Sequence, residues 1–174
     1  MTAADRPDDR GAAVLRGATT DDAERLTDLH LDCWDDAYAG LVPADLLAQR
    51  RVDRAARVEQ WRAILASGRS PLVAEAPDGR GGMRLVGFAS SGPARDEDAP
   101  APEELYALYV RAAWWGRGVG HALLTAALGD RAAYLWVLAG NERAVAFYER
   151  QGFRADGATV EGPEGRDVRM RRGG

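Results

Sequence analysis

The segment WWGRGVGHALL (Trp114–Leu124) places glycine at three alternate positions, Gly116, Gly118 and Gly120, just before an apolar helical pattern. Glycine inside a helix costs about 1 kcal/mol relative to alanine, and an ordinary turn needs only one or two glycines. A helix N-terminus offers unpaired N–H groups and about half a positive charge, and glycines let a phosphate reach that backbone. The segment therefore predicts a cradle for a phosphate or pyrophosphate, with a tight strand-to-helix turn as the alternative.

Two apolar strand patterns flank the glycine segment. LYALYV (residues 105–110) ends just before the glycines, and AAYLWVL (residues 132–138) follows the helix that they open. Both patterns are apolar on their two alternating faces, which is typical of central strands covered by helices above and below. The cradle is therefore predicted to lie at the end of a central strand.

Periodicity in the rest of the chain predicts the fold class. A short strand at the start of VLRGATTDDAERLTDLHLDCWDDAY (residues 14–38) precedes a helix that begins after Thr19–Asp22, and a second helical region runs from about residue 53 to 65. Two strands then surround PDGRGG (residues 77–82), and two more close the chain after residue 153. This order predicts a mixed α/β (α+β) fold with a largely antiparallel central sheet of about six to seven strands and helices on both faces.

Length and composition restrict the possible classes of protein. The chain has 174 residues, which predicts a single domain over residues 13–174 after a disordered polar tail at residues 1–12. Cys33 is the only cysteine, and all 23 basic residues are arginine. An intramolecular disulfide, a multi-thiolate zinc site, a phosphate-binding loop ending in GK[ST] and a lysine Schiff base are therefore excluded, and no metal is expected.

Charge and hydropathy indicate where the chain acts. No run approaches 18 apolar residues, and the N-terminus lacks the pattern of a secretory signal, so no membrane association is expected and the cytoplasm is the predicted location. The net charge is -4 and no basic tract is present, so nucleic acid is not an expected partner.

A second motif follows the strand at residues 132–138. NERAVAFYERQGF begins with Asn141, a residue type that caps helices, and places Tyr148 on the same helix face. Asn141 alone is explained equally well as a structural cap, and Tyr148 alone as a core residue. Together they predict a helix whose one face contributes to a site.

The two motifs together resemble the GNAT superfamily of acetyl-CoA-dependent N-acetyltransferases, of bacterial type. LYALYVRAAWWGRGVGHALL is similar to that family's strand, pyrophosphate loop and helix, and NERAVAFYERQGF is similar to its N-x-x-A-x-x-F-Y-x-x-x-G-F segment. The resemblance covers about residues 104–153 and extends more weakly to LHLDCWDDAYAGLVP. It implies a GNAT-like fold, acetyl-CoA as co-substrate and transfer of an acetyl group to an amine.

The resemblance also implies which residues hold acetyl-CoA. The family's loop begins with Gln or Arg where this chain has Trp115, which removes one phosphate contact that Arg117 would replace. The implied cofactor residues are Leu108, Tyr109, Val110, Trp115, Gly116, Arg117, Gly118, Val119, Gly120, His121, Asn141, Arg143 and Tyr148.

The implied chemistry is direct attack of an amine on the thioester. The backbone N–H of Val110 would stabilise the oxyanion, and Tyr148 would protonate the leaving thiolate. Glu104, at the start of the central strand, is the candidate base, although an acidic loop more often ends in solvated glutamates.

The acceptor is expected to be a small-molecule or peptide primary amine. Trp34 and Tyr38 share a helix face, and they either line the acceptor site together with Glu104 or simply pack. A homodimer is possible in this family. Two other classes of protein stay open: a CoA-binding regulatory module without activity, and an NAD- or nucleotide-binding enzyme. His121 counts against the second class, because the G-x-G-x-x-G pattern of dinucleotide-binding proteins needs a small residue at that position.

Overall fold

The computed structural model describes residues 11–173, so the tail predicted at residues 1–12 lies outside the described residues except for its last two positions. Seven strands form one sheet in the order β1-β2-β3-β4-β5-β7-β6. The strands are β1 (Val14–Gly17), β2 (Leu72–Pro77), β3 (Met83–Pro93), β4 (Glu103–Val110), β5 (Ala133–Leu138), β6 (Arg154–Gly162) and β7 (Gly165–Arg172). The helices are α1 (Ala23–Tyr38), α2 (Ala44–Val52), α3 (Arg54–Ala66), α4 (Val119–Leu128) and α5 (Glu142–Arg150).

All neighbouring strands pair antiparallel except β4 and β5, which pair parallel. The predicted mixed fold with a largely antiparallel sheet of six to seven strands is therefore confirmed. The hairpin predicted around PDGRGG joins β2 to β3, and the Asp78 carboxylate accepts hydrogen bonds from the N–H groups of Arg80 and Gly82 in its turn.

Helices cover both faces of the sheet, as predicted. On one face α1 and α3 pack against β2 and β3 through a cluster that includes Leu26, Leu29, Cys33, Val58, Leu65, Val73 and Phe88. On the other face α4 and α5 pack through two clusters that include Leu123, Leu124, Leu128, Leu135, Tyr148, Phe153 and Met170. The strands apolar on both faces, β4 and β5, lie between these layers.

Helix α2 was not predicted from the sequence. The first helix does end before GLVP (residues 40–43), but a new helix begins directly after Pro43. Helix α3 then begins at Arg54, close to the predicted start. None of the residues of α2 is buried, so the segment has no apolar stripe from which helical periodicity could be read. No helix in the described residues is both long enough and apolar enough to cross a membrane.

Candidate active site

The two central strands separate soon after they meet. β4 and β5 pair only at Glu103 with Ala133 and at Glu104 with Tyr134. β4 then continues to Val110 along β3, while β5 continues along β7, and no pairing joins the two strands beyond these positions. A gap therefore opens in the middle of the sheet, and the facing edges of both strands line it.

Backbone groups of β4 point into this gap. The N–H of Arg111 donates to the carbonyl oxygen of Val86 on β3 over 2.9 Å. Because N–H groups of successive residues in a strand point to opposite edges, the N–H groups of Val110 and Leu108 point away from β3 and into the gap. The gap thus contains backbone donors that no neighbouring strand uses.

A cavity of about 590 Å³ occupies the gap and continues to the start of α4. It is bounded by α1, β4, the loop before α4, β5, α5 and the β6–β7 hairpin. Every predicted cofactor residue except Arg117 lines it; those residues are Leu108, Tyr109, Val110, Trp115, Gly116, Gly118, Val119, Gly120, His121, Asn141, Arg143 and Tyr148. The structure therefore brings together two motifs that lie apart in the sequence.

The glycines at the start of α4 have different structural roles. Gly118 is the N-cap, with φ of 80°, and Gly116 has φ of 73°, a region that side-chain-bearing residues rarely adopt. A Cβ on either residue would meet no other atom within 4 Å, so the backbone faces open space. Gly120 instead lies in the helix, where a Cβ would be 3.5 Å from the Phe147 ring. The first turn of α4 thus presents bare, unpaired N–H groups to the cavity.

Trp115 stands where the resembled family has Gln or Arg, and it makes two contacts at the edge of the cavity. Its indole N–H donates to the carbonyl oxygen of Val110 over 2.7 Å. The Arg143 guanidinium stacks on its ring, 3.5 Å from the centroid. Trp115 therefore joins the end of β4 to the start of α5 and holds a cation beside the α4 N-terminus.

The two other predicted side chains of this loop lie further out. Arg117 is exposed, and its guanidinium lies 5.4 Å from the centroid of the Trp114 ring. The His121 Nδ1 lies 2.8 Å from the Gln151 side-chain oxygen at the cavity edge. Arg143 therefore lies against the Trp115 ring, and Arg117 lies near the neighbouring Trp114 ring.

Asn141 and Tyr148 lie on one face of α5, as predicted. The Asn141 side-chain oxygen caps the helix by accepting from the N–H of Ala144 over 3.2 Å. Tyr148 is 8% exposed, and its hydroxyl has no hydrogen-bond partner within the described part of the chain. Burial raises the pKa of Tyr148, and the nearby Tyr38 hydroxyl adds to this, whereas Arg143 acts in the opposite direction. Tyr148 is therefore a protonated phenol that faces the cavity.

An aromatic wall from α1 closes the opposite side of the cavity. The rings of Trp34 and Tyr38 lie 4.6 Å apart, and both residues line the cavity. The Arg50 guanidinium of α2 lies 3.4 Å above the Trp34 ring. Trp34 also donates its indole N–H to the His30 Nε2 over 3.1 Å. These two predicted acceptor residues therefore both pack and face the cavity.

Glu104 does not line the cavity. It is 2% exposed and accepts two hydrogen bonds from the Arg95 side chain and one, over 2.9 Å, from the Tyr134 hydroxyl. Burial acts to raise the pKa of Glu104, but the hydrogen bonds from Arg95 and Tyr134 outweigh it and the net pKa is lowered. A carboxylate so fully paired is a weak proton acceptor, and it lies before the gap opens.

Several cavity residues were not anticipated from the sequence. They include Cys33 on α1, Trp136 on β5, Arg150 on α5, and two carboxylates of the β6–β7 hairpin, Glu164 and Asp167. Glu164 lies in a Gly-rich turn and Asp167 lies near the start of β7, and both look like ordinary exposed acids in the sequence. Only the pairing of β7 with β5 carries them to the cavity, and no local pattern in the sequence predicts that contact.

Comparison with known proteins identifies the family. Residues 23–153 match the model of the Acetyltransferase (GNAT) family. An uncharacterized N-acetyltransferase, YuaI, of Bacillus subtilis is 28% identical over 142 residues, which cover 78% of this chain and 77% of that protein. A mycothiol acetyltransferase of Propionibacterium freudenreichii is 45% identical over 75 residues, but these cover only 40% of this chain and 24% of that protein.

Solved structures show the same fold. The PaiA N-acetyltransferase of Thermoplasma acidophilum, in complex with coenzyme A, matches 93% of this chain and 99% of its own with a TM-score of 0.68 and 19% identity. A ribosomal-protein-alanine N-acetyltransferase of Brucella melitensis matches 91% of this chain and 98% of its own with a TM-score of 0.65 and 26% identity. The chain belongs to the GNAT family and is an acetyltransferase.

Proposed function

We propose that this enzyme transfers the acetyl group of acetyl-CoA to a primary amine. The observation that carries the proposal is the gap between β4 and β5, into which the Val110 N–H points and to which the α4 N-terminus and Tyr148 both lead. Acetyl-CoA supplies an activated acyl thioester on an anionic, extended carrier. The residues present fit such a carrier, because bare N–H groups at Gly118 and the Arg143 guanidinium offer positive charge at one end of the cavity.

The strand edge orients the thioester. The N–H of Leu108 and the carbonyl groups beside it pair with the amides of the carrier arm, in the manner of an added strand, and Tyr109 completes that stretch of β4. The N–H of Val110 then stabilises the negative charge that develops on the carbonyl oxygen during attack. The indole of Trp115 holds the carbonyl group of Val110, which belongs to the following peptide, so the end of β4 beside this N–H is anchored before the substrate binds.

Tyr148 completes the transfer. The amine nitrogen forms a bond to the carbonyl carbon, the carbon–sulfur bond breaks, and Tyr148 donates its proton to the departing sulfur. The amine loses its proton to solvent or to a base, and a proton from that source then restores the Tyr148 phenol. Glu104, the base expected from the sequence, lies outside the cavity and is tied to Arg95, so its placement supports a structural role.

Binding and transfer can be tested together. We expect calorimetric titration to show micromolar binding of acetyl-CoA and no comparable binding of NAD or ATP, and we expect thiol release when primary amines are added. Acetyl-CoA binding without thiol release, across a broad amine panel, would favour a CoA-binding regulatory module. Preferential binding of NAD or ATP would contradict the proposal and favour a nucleotide-binding enzyme.

Replacing Glu104 with glutamine separates its two possible roles. Because the change disrupts a buried hydrogen-bonded pair, we expect the free energy of unfolding to fall by about 1–3 kcal/mol, with kcat/KM for acetyl transfer changed by less than about threefold. The lowered pKa of Glu104 means that its contribution is complete above the usual glutamate pKa of about 4.3 and is lost as the pH falls through the folded-state value. The difference in stability from the natural enzyme should therefore narrow in acid, as measured by urea unfolding. A large loss of kcat with normal stability would instead make Glu104 the base.

A further inference from the structure

Two carboxylates of the β6–β7 hairpin differ from the other acids around them. Glu164 lies in the turn between the strands and Asp167 lies on β7, and both are half-buried and line the cavity. Within residues 11–173, neither side chain makes a hydrogen bond or an ion pair. Glu161 of the same hairpin, in contrast, pairs with Arg166 over 3.0 Å. The two cavity-facing acids are thus carboxylates that no ion pair within the described residues neutralises.

The charge that acts on Asp167 is that of its neighbour Glu164, although two cations, Arg143 and Arg150, line other parts of the same cavity. Burial, followed by the charge of Glu164, raises the pKa of Asp167, as expected of two carboxylates that share one site. The charge of Asp167 acts on the Tyr38 hydroxyl of α1, and the charge of Glu164 acts on the Arg50 guanidinium of α2, a cation that stacks on Trp34 and makes no ion pair with Glu164 in the described residues. A cation placed between the two carboxylates would therefore relieve their repulsion.

The position of the pair sets it apart from the reacting centre. Asp167 pairs with Leu138, the last residue of β5, so the whole width of β5 separates it from the gap. Neighbouring strands lie about 4.8 Å apart, so Asp167 lies about one strand spacing from the edge of β5 that faces the gap. Tyr148, 8% exposed and without a hydrogen-bond partner in the described residues, faces the same cavity from α5. The cavity therefore holds a proton donor at the gap and free carboxylates to one side.

Aromatic side chains complete this part of the cavity. Trp34 and Tyr38 face it from α1, and Trp136 faces it from β5. The faces of aromatic rings attract organic cations, and flexible methylene chains pack on them. Carboxylates beside aromatic faces are suited to an alkyl chain that ends in an ammonium group.

We propose that Glu164 and Asp167 form a binding subsite for a second ammonium group of the acceptor, so that the enzyme selects diamines over amines with a neutral or anionic far end. This inference rests on the proposed function, since it assumes that an amine enters the cavity. One ammonium group is held by the hairpin carboxylates while the other end of the chain, as the free amine, reaches the gap. An acceptor with a carboxylate at its far end would be repelled.

Three probes of matched length test the subsite by binding alone. Putrescine, n-pentylamine and δ-aminovalerate share an amine and four methylene groups and end in an ammonium, a methyl and a carboxylate group. Titrated calorimetrically into the enzyme saturated with CoA, putrescine is expected to bind at least about tenfold more tightly than n-pentylamine, with δ-aminovalerate weakest. Glu164→Gln and Asp167→Asn should each weaken putrescine binding about tenfold and weaken n-pentylamine binding less, because only putrescine carries a second ammonium group. Glu161→Gln, on the same hairpin but paired with Arg166, is the matched control and should change neither.

The outcomes separate this inference from the proposed function. Equal binding of the three probes, no binding of any of them, or putrescine binding that survives both substitutions would overturn the subsite. CoA binding is measured in every variant, so that a variant that fails to fold is recognised. The remaining variant of the pair, Glu164→Gln or Asp167→Asn, then tests the subsite. If n-pentylamine is acetylated at the same rate as putrescine, the proposed transfer activity stands and the proposed subsite is wrong. If putrescine binds as expected but no thiol is released, the subsite stands and the transfer activity fails.

Discussion

Replacing Gly118 with glutamate is expected to raise the Kd of acetyl-CoA by at least about 100-fold. Gly118 is the N-cap of α4 with φ of 80°, where a residue with a side chain costs about 1–2 kcal/mol. A Cβ there meets no atom of the protein within 4 Å, so the new side chain would extend into the space where the phosphates are proposed to bind. Its negative charge would also oppose the anionic carrier at the positive end of the helix. Calorimetric titration of the purified variant measures the effect.

Two alanine variants separate the causes of this loss. Gly118→Ala adds the conformational strain without the charge, so we expect it to weaken binding about tenfold. Gly129 lies at the other end of α4 with φ of 54°, and a Cβ there also meets nothing within 4 Å. Gly129 combines this φ with ψ of -136°, which a residue with a side chain tolerates less well than the left-handed helical conformation of Gly118. Gly129→Ala should therefore lower stability at least as much as Gly118→Ala and leave acetyl-CoA affinity unchanged. Unchanged affinity in Gly118→Glu would contradict the assignment of α4 to the pyrophosphate.

The fold was predictable where hydrophobic patterns are long and local. The strands β4 and β5 are apolar on both faces, which predicts that they are central in the sheet. Helix α1 has an apolar stripe through Leu26, Leu29 and Cys33. Helix α2 escaped prediction because none of its residues is buried, and its local sequence contains no such stripe. A helix can be predicted from hydrophobic periodicity only where one of its faces is buried against the sheet.

The side of the cavity that we propose holds the cofactor could be located from the sequence, because its residues come from two continuous segments. The glycines before α4 and the Asn141–Tyr148 face of α5 each carry a local pattern, and the structure places both along one cavity. The side that we propose holds the acceptor depends on contacts between distant segments. Glu104 reads as an exposed acid, but Arg95 and Tyr134 bury and pair it, whereas Asp167 reaches the cavity only through the pairing of β7 with β5.

Removing the hydroxyl of Tyr148 is expected to lower kcat about 100-fold with little change in acetyl-CoA affinity. The Tyr148 hydroxyl faces the cavity without a partner in the described residues, and its ring packs against Phe147 and Phe153 at centroid distances of 5.2 and 5.9 Å. Phenylalanine preserves that packing, so Tyr148→Phe should fold normally and lose only the proton donor. Steady-state kinetics with a primary amine, together with calorimetric titration of acetyl-CoA, measure the two effects separately.

The pH dependence of this variant tests the role of the phenol itself. An acid acts in its protonated form, and burial raises the pKa of Tyr148 above the usual value of about 10, so Tyr148 stays protonated throughout the neutral and mildly alkaline range. The ratio of kcat between the natural enzyme and Tyr148→Phe should therefore stay constant up to a pH of about 9.5. Tyr134→Phe is the matched control: it removes a buried hydroxyl that bonds Glu104 outside the cavity, and should lower stability but not kcat. Equal kcat in Tyr148→Phe and the natural enzyme would exclude Tyr148 as the acid and leave solvent to protonate the thiolate.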